Sequence, residues 1–293
     1  MFYRSLGFAS FLAVGIIIFF RPVQAVLQLS MGQGARSELY SYIPAIPFIS
    51  IFFFLRDRNE IFKNVGYSFV AGGLVLIFAV GLCVAGMSAH CSKIGQDRLF
   101  WSVLALVLWI AGSFLLFYGM SAFKKAAFPL GFLLFTVPIP SFVLDPYITL
   151  LQTASADVSY KVFKMLGVPV FRRGMVFDLP GLGIEVARQC SGIRSSLALI
   201  IFTVLCCHIF LRRTVSKLIL MAAVVPIAVV KNGLRIVTLG LLGAYVDKIY
   251  ITNHWLHRSG GIVFFVSALI TMFLPLVWGL RYLEKGRLNR KRP

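Results

Sequence analysis

Long apolar stretches with basic residues at their ends recur along the whole chain. About 20 apolar residues are enough for a helix to cross the hydrocarbon of a bilayer. The pattern predicts about eight membrane-spanning helices, over residues 7–29, 42–55, 67–87, 100–120, 126–143, 192–211, 218–246 and 261–280. The predicted fold class is therefore an all-α polytopic membrane protein.

A longer and less apolar segment, 144–191, separates the fifth and sixth stretches. Its first part, 146–166, is amphipathic and predicts a helix that lies near the membrane surface. Weak alternation around Arg173-Gly174 predicts a short β-hairpin. We expect one membrane domain over 1–293, with N-terminal spans in 1–143, an outer-face segment in 144–191, further spans in 192–280 and a basic cytoplasmic tail in 281–293.

Composition supports a membrane protein and argues against a nucleic-acid binder. Apolar residues make up 59% of the chain, and the mean hydropathy is +0.88, whereas soluble domains are about half apolar. The formal net charge is +19, but the basic residues cluster at the ends of apolar stretches. A protein that binds nucleic acid would place them on one soluble face, so we expect no nucleic-acid partner.

Lysine and arginine also predict the orientation of the chain. They concentrate in alternate loops, at 56–63, 124–125 and 212–217, and in the tail. Cytoplasmic loops of membrane proteins carry the excess of such residues. We therefore expect both termini in the cytoplasm of a multi-pass protein in the inner or plasma membrane, with the segment 144–191 on the outer face.

Three residues whose side chains could take part in catalysis fall near the outer ends of successive spans. Taken singly, Cys190 suits a small apolar filler, Arg235 and Lys231 suit snorkelling to the outer headgroups, and His257 suits an interfacial belt. The helical rise from the inner ends of the three spans places Cys190, Arg235 and His257 about 34, 27 and 36 Å along. These distances bring them to one depth near the outer boundary.

A thiol, a guanidinium and an imidazole at one depth suit acyl transfer from a peptide. Imidazole can take the proton of the thiol and later protonate an amine leaving group. A neighbouring cation favours the thiolate form of a cysteine. A guanidinium can also stabilise the oxyanion of a tetrahedral intermediate.

Other interpretations have less support. The five cysteines contain no Cys-x-x-Cys pair, and His254 and His257 lack a third ligand of the kind that catalytic zinc requires, so we expect no metal or cofactor. A small transporter could use Arg235 and His257 along its path, although no second helix break matches the one near Lys231. In a purely structural membrane partner, Cys190, Arg235 and His257 would all be dispensable. Cys91 is expected to share the outer face with Cys190 without pairing to it.

Three motifs follow one another in the latter half of the chain: Cys190-Ser191-Gly192-Ile193-Arg194, Asn232-Gly233-Leu234-Arg235 and His257-Arg258-Ser259-Gly260-Gly261. In this order they resemble the exosortase/archaeosortase family, and the resemblance covers about residues 138–265. The chain departs from the family at Tyr42, where a histidine is frequent, and at Arg258, where an aspartate is common. These departures concern the subfamily rather than the three motifs.

The resemblance implies a membrane cysteine protease or transpeptidase with Cys190, Arg235 and His257 as catalytic residues. It also implies substrate contacts at Ser191, Gly192, Arg194 and Asn232. The implied substrates are secreted proteins with a C-terminal, PEP-CTERM-like sorting signal, which consists of a short motif, a transmembrane helix and a basic tail. The enzyme would cut at the motif and pass the new C-terminus to an acceptor such as a lipid or glycan.

Overall fold

The computed structural model describes residues 2–32, 35–88, 95–252 and 260–289. Helices form most of this part of the chain. In order they are α1 (Phe2–Ile18), α2 (Phe20–Met31), α3 (Ala35–Tyr40), α4 (Ala45–Arg56), α5 (Arg58–Ile61), α6 (Phe69–Ser88), α7 (Gly95–Lys125), α8 (Ala127–Phe132), α9 (Ser141–Met165), α10 (Ile193–Phe210), α11 (Thr214–Tyr245), α12 (Ile249–Thr252), α13 (Gly260–Ala268) and α14 (Leu274–Asn289). A helix therefore lies in each of the eight predicted apolar stretches.

Within the described ranges, five helical stretches are long and apolar enough to cross a membrane unaided. They are Glu38–Arg56, Asp97–Lys125, Arg188–Phe210, Thr214–Tyr245 and Gly261–Lys285. The number rises to seven if two bent pairs, Tyr3–Ile18 with Phe20–Met31 and Ala127–Thr136 with Ser141–Met165, each count as one span. A shorter apolar helix occupies Phe69–Val84. The predicted class of all-α polytopic membrane protein is confirmed.

The predicted fifth span is not one straight helix. The helical stretches Ala127–Thr136 and Ser141–Met165 meet at a bend of 81°, and residues 137–140 between them are not helical. Pro138 and Pro140 lie in this break. Because proline lacks a backbone N–H and clashes with the preceding turn, the two residues end the helix there. The following helix, α9, contains the amphipathic segment that the sequence predicted.

Contacts divide the chain into two compact units, Met1–Leu144 and Asp145–Pro293. In the first unit, the partly buried Phe8, Phe54 and Phe62 pack around the buried Phe114 and Tyr118 of α7. The indole Nε1 of Trp109 donates a hydrogen bond to the carbonyl oxygen of Phe11 at 2.9 Å. This contact ties α7 to α1.

The second unit contains a small antiparallel sheet as well as helices. Its strands are β1 (Phe171–Arg173), β2 (Val176–Leu179) and β3 (Leu182–Glu185), in the order β1-β2-β3. The predicted hairpin around Arg173-Gly174 is confirmed as the β1–β2 pair. The third strand was not predicted, although Pro180-Gly181 is a turn sequence and Gly181 has a φ of +70° that favours glycine.

The apolar face of this sheet packs against two helices. Phe177 and Leu179 of β2 share a buried cluster with Phe163 of α9 and with Ile236 and Val237 of α11. The sheet therefore lies against the part of α11 that follows Arg235.

A buried carboxylate binds the short loop that joins the C-terminus of α10 to the N-terminus of α11. Glu284 is 6% exposed and accepts hydrogen bonds from the backbone N–H groups of Arg212 and Arg213, each at 3.0 Å. Leu220 of α11 and Phe273 lie in one buried cluster with Cys206 of α10. The last helix is thus joined to the loop between α10 and α11 by both polar and apolar contacts.

Candidate active site

The predicted nucleophile lies at the end of a short turn before α10. A 3-10 helix covers Arg188–Cys190, and the N–H of Cys190 donates to the carbonyl oxygen of Ala187 at 2.8 Å. Gly192 precedes α10 with a φ of +79°, in the left-handed region that favours glycine. Cys190 is partly exposed and carries a free thiol.

Gly192 also lets this turn approach α11 closely. A Cβ atom built on Gly192 would lie 2.9 Å from both Cγ and Oδ1 of Asn232. Side-chain Cβ atoms do not tolerate such a contact with a buried neighbour, because buried groups are close-packed. Glycine is therefore required here both for the backbone conformation and for space.

Asn232 links the turn to α11 directly. Its side-chain Nδ2 donates a hydrogen bond to the carbonyl oxygen of Cys190 at 2.9 Å, and the residue is 1% exposed. Its Oδ1 has no hydrogen-bond partner among the described residues, and neither has the buried Oγ of Ser191. Since an unsatisfied buried polar group is costly, the one bond that Asn232 makes is a strong positional constraint.

Three of the predicted site residues line a single cavity of about 130 Å³: Cys190, Asn232 and Arg235. Asn232 and Arg235 are three positions apart on α11, so they lie on one face of the helix. The prediction that the motifs around Cys190 and Arg235 meet in space is consistent with this geometry.

None of the other predicted site residues that the structure describes lines this cavity. Ser191 is 1% exposed, Arg194 is exposed at the start of α10, and neither lines the cavity, nor does Gly192. His257 and its neighbour His254 lie outside the described residues, as does Cys91. Over the ranges that the structure covers, no group of three His, Cys, Asp or Glu side chains could hold a metal ion.

Lys231 does not extend to the surface, so the snorkelling alternative does not apply to it. The residue is 5% exposed, and its Nζ donates a hydrogen bond to Oγ of Ser195 in the first turn of α10. The same Ser195 hydroxyl donates to the carbonyl oxygen of Gly192 at 2.9 Å. Lys231 instead turns inward because this hydroxyl offers its ammonium a partner within the protein.

Helix α9 braces the same region from another direction. The hydroxyl of Tyr147 is hydrogen-bonded to Oγ of Ser196, and Nε2 of Gln152 donates to the carbonyl oxygen of Val186. The guanidinium of Arg188 forms an ion pair with Asp145. These partners were missed from the sequence, where α9 was interpreted only as an amphipathic surface helix. Asp145 and Gln152 are seven positions apart and so share one helix face, which is the signal that could have revealed them.

Glycine also permits the close crossing of α9 and α11. A Cβ atom on Gly233 would lie 2.7 Å from Cγ1 of Val158, and Oγ of Ser159 donates to the carbonyl oxygen of Gly233 at 3.1 Å. The crossing lies beside Asn232 in the sequence of α11. This contact helps to set the position of Asn232 and Arg235, along the axis of α11, relative to α9.

The fold and the cavity together define a polytopic helical membrane protein in which a free thiol and a guanidinium line one cavity. The family model described as transmembrane exosortase matches residues 34–274, which is most of the chain. The chain therefore belongs to the transmembrane exosortase family and is, in general terms, an integral membrane transpeptidase. The match extends well beyond the 138–265 region of the sequence resemblance. No curated protein and no solved structure matches the chain significantly.

Proposed function

We propose that the protein is a membrane cysteine transpeptidase that removes a C-terminal, PEP-CTERM-like sorting signal from secreted proteins. Cys190 is the nucleophile, Arg235 stabilises the oxyanion, and His257 is the general base and acid. The observation that carries the proposal is the common cavity of Cys190 and Arg235. The position of His257 is a sequence-based expectation and forms part of the proposal.

The reaction follows the usual course of thiol acyl transfer. His257 takes the proton of the Cys190 thiol, and the sulfur attacks the carbonyl carbon of the scissile peptide bond. Arg235 stabilises the negative charge that develops on the carbonyl oxygen. His257 then protonates the leaving amine, and the remaining thioester is attacked by an acceptor nucleophile of a lipid or glycan, which regenerates the thiol.

The proposal includes the orientation of the chain. Both termini lie in the cytoplasm and the cavity faces the outer side, where a secreted substrate arrives. The excess of lysine and arginine in alternate loops supports this orientation. A substrate anchored by its own transmembrane helix would present the cleavage motif at the same boundary.

The test is to co-express the enzyme with a secreted reporter protein that ends in a sorting signal from the same genome. Cys190→Ala is expected to reduce cleavage at least about a thousandfold, because the covalent step is lost. Cys206→Ala is the matched control, since Cys206 is a buried cysteine of α10 that does not line the cavity. A transporter that used Arg235 and His257 would not need the thiol. Cleavage at the parental rate by Cys190→Ala would therefore reject the proposal.

A further inference from the structure

Strand β3 forms an edge of the sheet. It pairs with β2, and no other described strand lies on its second side. In antiparallel pairs, alternate residues direct their backbone N–H and C=O groups toward the partner strand. The N–H of Val186 donates to the carbonyl oxygen of Met175 at 2.9 Å. This bond sets the alternation, so Leu182 and Ile184 face β2 while Gly183 and Glu185 direct their backbone groups outward.

The outward groups of β3 are largely unused. The carbonyl oxygen of Glu185 accepts from the N–H of Ala187 at 3.0 Å. Within the described residues, the N–H and C=O of Gly183 and the N–H of Glu185 have no backbone partner. They form a short row of two donors and one acceptor. Such a row at a sheet edge is a template for a further strand.

This edge belongs to the cavity that contains Cys190. Gly183, Ile184, Glu185 and Val186 line it together with Cys190 and Arg235. The remaining lining is mostly apolar, from Ile236, Leu239 and Gly240 of α11 and from Ile251 of α12. The backbone groups of β3 and the candidate nucleophile are therefore presented to the same space.

The edge of the sheet is open at Gly183. A Cβ atom built at this position would have only Oδ1 of Asp178 near it, at 3.7 Å, which is an ordinary contact. Its φ is not in the left-handed region, so the backbone conformation does not require glycine. Gly183 and Glu185 are both exposed, so no described side chain covers the strand on its outward side.

We propose that the substrate segment that leads to the scissile bond binds as an added strand along β3. Its backbone pairs with the outward groups of Gly183 and Glu185, and the pairing directs the scissile carbonyl toward Cys190. This inference rests on the proposed function and names the form in which that function takes its substrate. Main-chain pairing binds an extended polypeptide, and alternate side chains then contact the apolar lining. A lipid chain would leave the outward donors unsatisfied.

The first experiment compares two substitutions at one position. Gly183→Pro removes the outward N–H but breaks no hydrogen bond to β2. Gly183 lies opposite Asp178 of β2 in a pair that is not hydrogen-bonded. Gly183→Ala retains the N–H and adds a contact that the structure accommodates. Cleavage of the co-expressed reporter is expected to be about tenfold lower in Gly183→Pro than in Gly183→Ala, the effect of one lost hydrogen bond. Equal cleavage by the two variants would overturn the added-strand proposal.

Two further measurements guard against misfolding and separate the proposals. Labelling of Cys190 by a small maleimide should be equal in both Gly183 variants, which shows that the site itself is intact. In a Cys190→Ala, Gly183→Cys enzyme, single cysteines moved along the reporter's signal should cross-link at every second position, since side chains alternate between the two faces of a paired strand. Cross-linking without this alternation would overturn the added strand. Failure of the enzyme assignment has a different signature, because Cys190→Ala would then still cleave.

Discussion

The side-chain amide of Asn232 donates a hydrogen bond to the backbone carbonyl oxygen of Cys190. Because Asn232 lies three residues before Arg235 on α11, this bond couples the position of the thiol to the position of the guanidinium. The donor is buried and the acceptor belongs to a turn outside α10, so no helix hydrogen bond duplicates it. Removal of this hydrogen bond is expected to disturb the site without unfolding the protein.

Asn232→Asp should therefore impair cleavage more than the small change in shape suggests. The carboxylate cannot donate to the Cys190 carbonyl, and it adds a buried negative charge beside that acceptor. The loss of one partner of a buried hydrogen bond costs about 1–3 kcal/mol, so Asn232→Ala should also be impaired. Cleavage rate and maleimide labelling of Cys190 would be measured together. An Asn232→Asp variant as active as the parent would contradict this role.

Gly192→Ala should destabilise the protein and reduce cleavage. A residue other than glycine in the left-handed conformation costs about 1–2 kcal/mol, and the new Cβ would also collide with Asn232. Gly131→Ala is the matched control, since it lies in helix α8 and its Cβ would meet nothing within 4 Å. Thermal unfolding in detergent would compare the two variants. Similar midpoints would show that the close approach at Gly192 is unimportant.

Lys231 should not be replaceable by arginine. Its ammonium occupies a buried position against Ser195, and the larger planar guanidinium does not fit the same geometry. Lys231→Met retains much of the apolar stem but removes the bond to α10, so it should also lower cleavage. If Lys231 were only a surface anchor, Lys231→Arg would have parental activity. The readout is cleavage of the tailed reporter at matched enzyme levels.

Arg235→Lys should reduce cleavage about a hundredfold, the usual cost of removing an oxyanion donor. A compact ammonium does not reproduce the planar fork of donors. His257→Ala and Cys190→Ser should likewise lose most activity, the latter because a hydroxyl ionises far less readily than a thiol. Parental rates in Arg235→Lys would remove the guanidinium from the mechanism.

Cys91→Ser should retain cleavage, since Cys190 carries a free thiol.

Membrane-impermeant thiol labelling tests the proposed orientation. In a variant with only Cys190 retained, labelling should occur from outside intact cells, whereas a reporter fused to the C-terminus should report the cytoplasm. The basic residues of alternate loops are the physical basis of this expectation. Labelling of Cys190 only after membrane disruption would reverse the orientation.

Much of the fold could be predicted because a bilayer restricts the choice of structure. Apolar stretches of sufficient length must become helices, since lipid offers no partner for the backbone, and each predicted stretch contains one. The hairpin at Arg173-Gly174 followed from local turn chemistry. The third strand did not, because its pairing depends on the register with β2 rather than on a strong alternation of its own.

The site was predictable in its depth but not in its connections. Helical rise alone placed Cys190 and Arg235 near one boundary, and both line one cavity. The inward direction of Lys231 was not predicted, because its partner, Ser195, lies 36 positions away in the sequence. The bond from Gln152 to Val186 was missed for the same reason, since a buried polar contact depends on tertiary packing that periodicity does not encode.

The carboxylate of Glu284 has a mechanical consequence for the candidate site. It holds the loop between α10 and α11 at one end of the helix pair, while Asn232 and Lys231 hold the pair at the other end. Contacts at both ends of a helix pair oppose separation of the two helices. We therefore expect the Cys190 thiol and the Arg235 guanidinium to keep a constant spacing, which a substrate would meet already formed.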